Sequence, residues 1–154
     1  MSDSPKVFSS LEEVKAAVGA ELGPTEYIEI DQQRVNQFAD ATGDHQWIHV
    51  DVERAKSGPF GGTIAHGYLT LSLSSYFMPR LIRVDNISMG LNYGVNKVRF
   101  PAPVRVGSRL RARGQIASVE DVKGGIQVCI VITLEVEGQA KPACVIESLS
   151  RFLA

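Results

Sequence analysis

Three residue types that often carry chemistry are scarce in this 154-residue chain: it has three His, two Cys and one Trp. Cys129 and Cys144 both fall in apolar, strand-like runs, which predicts two buried free thiols and no disulfide framework. There is no CxxC, and neither a metal nor a cofactor is expected. An excess of charge is missing too. The net charge is −1, which argues against a nucleic-acid binder or a polybasic membrane anchor. Long apolar runs are also absent. The longest, Ile64 to Met78, is too short to span a bilayer. The opening MSDSPK leads into no apolar run, so no signal peptide is expected and the location is expected to be cytoplasmic. Without a GxSxG, none of Thr70, Ser72, Ser74 and Ser75 reads as a nucleophile.

What is present is ordinary for one globular domain over 1–154: 44% apolar and 21% charged residues. Residues 1–8 are polar and read as loose chain. Ser9 and Ser10 each precede a glutamate by three residues, a capping-box pattern that opens a short helix. Thr25 to Ile30 reads as a strand. Asp31 caps a second helix, Gln32 to about Ala41, which Gly43 ends. Asp51 caps a third, Val52 to Lys56. Thr63 is placed to cap a fourth, Ile64 to about Met78, with Pro79 beyond its end. That segment holds no Asp, Glu, Lys or Arg, and a helix without a charged face is normally buried.

From residue 85 the period changes to two. Ile87 to Phe100 supplies one or two strands, broken near Gly94. Leu110, Ala112, Gly114 and Ile116 alternate with Arg109, Arg111, Arg113 and Gln115. Val128 to Val136 and Ala143 to Leu153 follow, joined by turns at Lys123-Gly124-Gly125 and Glu137-Gly138. Helices lead and long antiparallel strands follow, so the fold class is α+β: a curved antiparallel sheet around one uncharged helix.

The stretch from Gly43 to Ser75 carries the candidate chemistry. Asp44 and His49 stand five residues apart. On a helix they would diverge by roughly 140°, and on a strand they would face opposite sides. They converge only if the backbone turns, and Gly43 is placed to begin that turn. A carboxylate and an imidazole are suited to polarise one water and move its protons. The plainer alternative is a turn-capping Asp44 and a packed His49. Gly67 lies at a helix start, where amide N–H groups lack intrahelical partners and negative charge is favoured. The alternative there is close packing of helix on sheet. His66 reads as a packing or helix-start residue. Between Asn86 and Val119 there are six basic residues and no acidic one, which could favour an anionic ligand or form a solvated face. Lys97 and Arg99, flanking the turn at Pro101, are the candidates for binding an anionic group such as that of a nucleotide-phosphate carrier.

At GDHQWIHVD, at GGTIAHGYLTLSLSS and again at NYGVNKVRFPAPV the chain resembles the MaoC-like (R)-specific enoyl-CoA hydratases, in the branch with NodN-like proteins. The resemblance implies a hot-dog fold, a homodimer and hydration of trans-2-enoyl-CoA to (3R)-3-hydroxyacyl-CoA. It implies that Asp44 and His49 hold the attacking water, that Gly67 N–H binds the thioester carbonyl, and that Ser75 lies near the site. The family's usual Asn-Pro-aliphatic before the histidine is replaced by Gln46, Trp47 and Ile48. A loop pinned differently and an acyl pocket narrowed by Trp47 are the expected consequences. The rivals are a hot-dog thioesterase and a non-catalytic acyl-CoA-binding domain. Many such thioesterases place an acidic residue on the central helix, and this chain has none there.

Overall fold

The structure is a computed structural model that describes residues 3–154. Its scaffold is an antiparallel sheet of six strands. Four are long: β5 (Met89–Arg99), β6 (Arg109–Val122), β7 (Gly125–Val136) and β8 (Cys144–Leu153). Two are short, β2 (Glu21–Leu22) and β3 (Ile28–Glu29), and both pair with β6. The spatial order is β2-β6-β7-β8-β5, so β5 is an edge. A separate parallel pair joins β1 (Lys6–Phe8) to β4 (Ile82–Val84).

Alternation decides which sheet face is covered. Leu110, Ala112, Gly114 and Ile116 of β6 are buried, as are Val128, Ile130, Ile132, Leu134 and Val136 of β7. Against them lie α5 (Gly67–Ser72) and α6 (Ser74–Leu81), almost continuous through Leu73. Leu69, Leu73, Phe77 and Leu81 recur every four residues, and all belong to the one core cluster that holds the sheet's inner residues. Each such side chain contributes about 1.5–3 kcal/mol on burial. Both cysteines are buried free thiols, and burial pushes Cys144 up to about 11.

Several sequence expectations are corrected. Lys6–Phe8 is a strand with Phe8 buried, not loose chain; residues 1–2 of that segment lie outside the described residues. The Thr25–Ile30 strand shrinks to Ile28–Glu29. The fourth helix begins at Gly67 with His66, not Thr63, at its N-cap position. The reason is pairing. Ile64 N–H donates to Ile48 O, Ala65 N–H donates to Val104 O, and Ile64 bridges to Arg105, so this segment stays extended. Pro79 lies inside α6. The hydrogen bond it forgoes belongs to Ser75 O, and both residues are exposed, where water can serve that carbonyl. β5 is a single strand that absorbs its irregularity as two bulges, one between Asn92 and Gly94.

One face of the helix pair is not covered within the chain. Tyr68, Ser72, Ser75 and Pro79 form an exposed stripe with no charge. Beside it, Met89, Leu91, Tyr93 and Val95 of edge strand β5 are each about half exposed or more. Among the described residues no helix is long and apolar enough to cross a membrane.

Candidate active site

The site is built where three short segments meet. The first follows α2 (Gln32–Thr42), capped at its start by Asp31, whose side chain accepts from Arg34 N–H. Gly43 ends α2 with φ of 82°, a left-handed conformation that glycine adopts without strain. That turn delivers Asp44, which is exposed and accepts from Gln46 N–H at 3.3 Å. The second segment is a single helical turn, α3 (Trp47–Val50), which carries His49. Neither periodicity nor a capping side chain announces this turn, and the sequence reading missed it. α4 (Val52–Lys56) follows, capped by Asp51 as expected. The third segment runs from Thr63 through His66 into α5.

His49 is 6% exposed and tightly held. Its Nδ1–H donates to Ile64 O at 2.7 Å, which leaves Nε2 with the lone pair. Gln32 acts as a clasp behind it. The Gln32 amide donates to His49 O at 2.8 Å, and its carbonyl oxygen accepts from Thr63 Oγ1 at 2.7 Å. The loop expected to be pinned in an unusual way is therefore held by a glutamine outside the motif. Burial pushes the His49 pKa down and His66 adds to this, against the Ile64 hydrogen bond and the Asp44 charge.

His66 joins the group. Its ring stacks on His49 at 3.9 Å, with 22° between the planes, and its Nε2–H donates to Asp44 O at 2.9 Å. A carboxylate oxygen of Asp44 and one ring nitrogen each of His49 and His66 lie within 4.8 Å of one another. That set has the composition of a metal site. The near-parallel stack, however, keeps the two ring planes, and the lone pairs that lie in them, apart, which is poor geometry for converging on one ion. His45, four residues before His49, is exposed and bound to Asp40 at 3.0 Å. The cluster is therefore better arranged to hold a small hydrogen-bonding molecule than an ion.

Gly67 comes next after His66 and is exposed, and its N–H has no acceptor among the described residues. A Cβ at Gly67 would meet the Phe100 ring at 3.4 Å. Beside them is an apolar pocket of about 320 Å³, lined by Phe60, Ile64, Gly67, Thr70, Phe100 and Val104 among others. Trp47 is not part of its wall. The indole lies under the Arg54 guanidinium at 4.2 Å and against Gly58, tying α3 to α4.

Other candidate residues lie elsewhere. Ser75 lines a separate cleft with Ser72, Ser74, Asn92 and Ser148, and no hydrogen bond links it to Asp44 or His49 among the described residues. Lys97 and Arg99 are exposed on β5, and Arg99 donates to Val98 O. The arginine face of β6 is already occupied. Arg109 pairs with Glu137, and Arg111 and Arg113 share Glu135. Burial pushes Glu135 up, but hydrogen bonds and charge from the two arginines outweigh it and hold the carboxyl below its usual range. That face needs no anionic ligand.

The sequence pattern of the MaoC-like domain matches residues 13–138, and the chain belongs to that family, in the branch with the NodN-like proteins. Among its relatives is a 3-hydroxyacyl-thioester dehydratase Z of Mycobacterium tuberculosis, 52% identical over 97% of this chain and 99% of that one. A nodulation protein N of Rhizobium leguminosarum bv. viciae is 45% identical over 87% and 85% of the respective chains. The hot-dog fold is shared with an (R)-hydratase from A. caviae involved in PHA biosynthesis, with a TM-score of 0.72 at 21% identity, covering 86% and 94%.

Proposed function

We propose that this protein is an (R)-specific hydratase/dehydratase that interconverts trans-2-enoyl-CoA and (3R)-3-hydroxyacyl-CoA. The observation that carries this reading is the approach of Asp44 and His49, with the unbonded Gly67 amide one residue beyond the His66 ring that touches both. In the hydration direction a water sits between the Asp44 carboxylate and His49 Nε2. His49 Nε2 takes a proton as the water oxygen bonds to carbon 3. The electron pair moves through carbon 2 onto the thioester oxygen, where Gly67 N–H stabilises it. The proton then passes to carbon 2. If one water supplies both atoms from one face, addition is syn. No metal, redox group or covalent intermediate is needed. The chemistry of the named relative, a thioester dehydratase, supports the class.

The depressed His49 pKa suits the base role, because the imidazole keeps its lone pair at pH values where a free histidine would be protonated. The apolar pocket next to Gly67 is the candidate for the acyl part, and Lys97 and Arg99 remain the candidates for the CoA phosphates. The uncharged helix stripe and the apolar edge strand β5 support a homodimer, in which a second copy covers both. Ser75 on that stripe would then approach a substrate only within the assembled pair.

The test is purified protein with crotonyl-CoA, followed by loss of enoyl absorbance and by release of free thiol. The expected result is loss of absorbance without thiol. Thiol release without hydration points to a thioesterase, and neither signal points to a binding domain. Either result overturns the proposal.

A further inference from the structure

We propose that His66 is a positioning residue: its imidazole ties the Asp44 backbone to the His49 ring, so that carboxylate and base are held as one unit. This rests on the hydratase/dehydratase reading above.

His66 occupies the N-cap position of α5, yet its side chain makes no capping bond. An N-cap residue normally uses a side-chain oxygen to accept from the first-turn amides. Here the side chain is turned the other way. It is 2% exposed, and its Nε2–H crosses 22 residues of sequence to donate to Asp44 O at 2.9 Å. That bond fixes the tautomer, since a lone pair on Nε2 would face the lone pairs of a carbonyl. The other nitrogen, Nδ1, is buried without any partner. A histidine kept for packing or capping alone would be expected to satisfy both nitrogens, since buried polar atoms nearly always find a partner. The unpaired atom shows that the ring's orientation is set by something other than its own hydrogen bonding. The structure supplies that constraint: His66 is clamped between His49, stacked at 3.9 Å, and Phe38, tilted at 4.9 Å.

Two consequences for the chemistry follow from this placement. Asp44 sits in an exposed loop, and the bond to its carbonyl is the link from that loop to the buried core. Without it the carboxylate loses its registration against His49, and misplacement on the order of 1 Å costs about 10²-fold in rate. Through charge, the His66 imidazole also disfavours a positive charge on His49. The titratable groups facing His49 are His66 and Asp44. Gln32, Phe38, Thr63 and Ile64, which bond to or pack on the two rings, carry no charge.

Two substitutions separate the bond from the stack. His66→Phe keeps a ring against His49 and loses the donor. His66→Gln places an amide N–H near the lost Nε2–H and loses the stack. The expected result is a fall in kcat of about tenfold or more in His66→Phe, with KM for crotonyl-CoA little changed. His66→Gln is expected to recover most of that kcat. In both, the acid limb of the kcat profile should move up in pH, because the neighbour that opposes His49 protonation is gone. Equal kcat losses in the two variants, or an unmoved acid limb in both, overturn the proposal.

A readout without turnover keeps this separate from the hydratase reading. With only three histidines in the chain, the imidazole NMR signals can be assigned using His49→Gln. In the wild type His66 should show hydrogen on Nε2, and His49 should titrate lower than it does in His66→Gln. Hydrogen on Nδ1 of His66, or an identical His49 titration in the two proteins, overturns the inference even if the protein hydrates crotonyl-CoA. If the wild type is inactive but the NMR results are as expected, the hydratase reading fails and the coupling stands.

Discussion

The mouth and the middle of one helical stretch are built on different principles. At its mouth, polar side chains are each tied to a backbone carbonyl or a neighbouring side chain: His49 to Ile64 O, His66 to Asp44 O, Gln32 to His49 O and to Thr63. Around its middle, Ser74, Ser75, Asn92 and Ser148 line a cleft and make no side-chain hydrogen bond to the described chain. Ser148 is 8% exposed and lines this open cleft. The buried side-chain atom without a partner among the described residues, His66 Nδ1, lies instead at the mouth. Apart from that atom the mouth is tied together within one chain, while the middle faces an uncharged stripe and an apolar edge that a second copy could cover. Chemistry that depends on angstrom-level placement belongs at the first region, and contact with a second copy belongs at the second.

The sharpest break in this contrast is at the mouth itself. Asp44→Asn or His49→Gln is expected to lower turnover of crotonyl-CoA by at least about 10², the low end for an acid–base group. Near-normal activity in either variant removes that residue from the mechanism. The same assay on Ser75→Ala is expected to show a change under about threefold, since a hydroxyl without a fixed partner contributes little to preorganisation. A Ser75→Ala loss as large as that of Asp44→Asn would erase the distinction between the two regions.

Next in size is the edge. Leu91→Lys together with Tyr93→Lys places two charges on the exposed apolar strand, where a partner strand would have to desolvate them. Sedimentation should pass from a pair of chains in the wild type to a single 16.7 kDa chain in the variant. A wild type that already sediments as one chain would show that the middle region is finished as it stands.

The clasp is the third. Gln32→Leu removes the donor to His49 O and the acceptor for Thr63, and leaves the buried Thr63 hydroxyl stranded. A cost of about 1–3 kcal/mol in stability is expected from the unpaired group, with kcat reduced about tenfold through the loosened His49. Unchanged stability and rate would mean that the His49–Ile64 bond alone holds the base.

What could be read in the sequence follows the same line. Features set by one or two neighbouring residues were legible. Ser10 accepts from Glu13 N–H, Asp31 and Asp51 cap their helices, and Gly43 turns left-handed, each as local chemistry dictates. The inner faces of β6 and β7 follow from strict alternation. Pairings between distant segments were not legible. Thr63 lies 31 residues from Gln32 and His66 lies 22 from Asp44, and no local pattern links them. The fourth helix starts late for the same reason. Thr63 looks like a cap until Ile64 and Ala65 are drawn into backbone bonds with Ile48 and Val104. Asp44 and His49 were recognisable as a pair, but the Gln32 and His66 that hold them in place were not.

The smallest expected effect distinguishes the regions by pH, because the serines of the middle do not titrate and His49 does. His49 has its pKa lowered from 6.5, chiefly by burial. Above 6.5 the imidazole is neutral whether the chain is folded or unfolded, and it contributes nothing to pH dependence. As pH falls below 6.5, the unfolded chain takes up a proton that the folded chain refuses, so stability drops. The drop levels off once pH passes below the folded-state value. His45 shifts the opposite way, held up by Asp40, and is present in both proteins to be compared. The urea midpoint should therefore fall more steeply between pH 7 and pH 5 in the wild type than in His49→Gln. Parallel falls would mean that burial does not penalise the protonated ring, and that the lone pair assigned to the base is not protected by the fold.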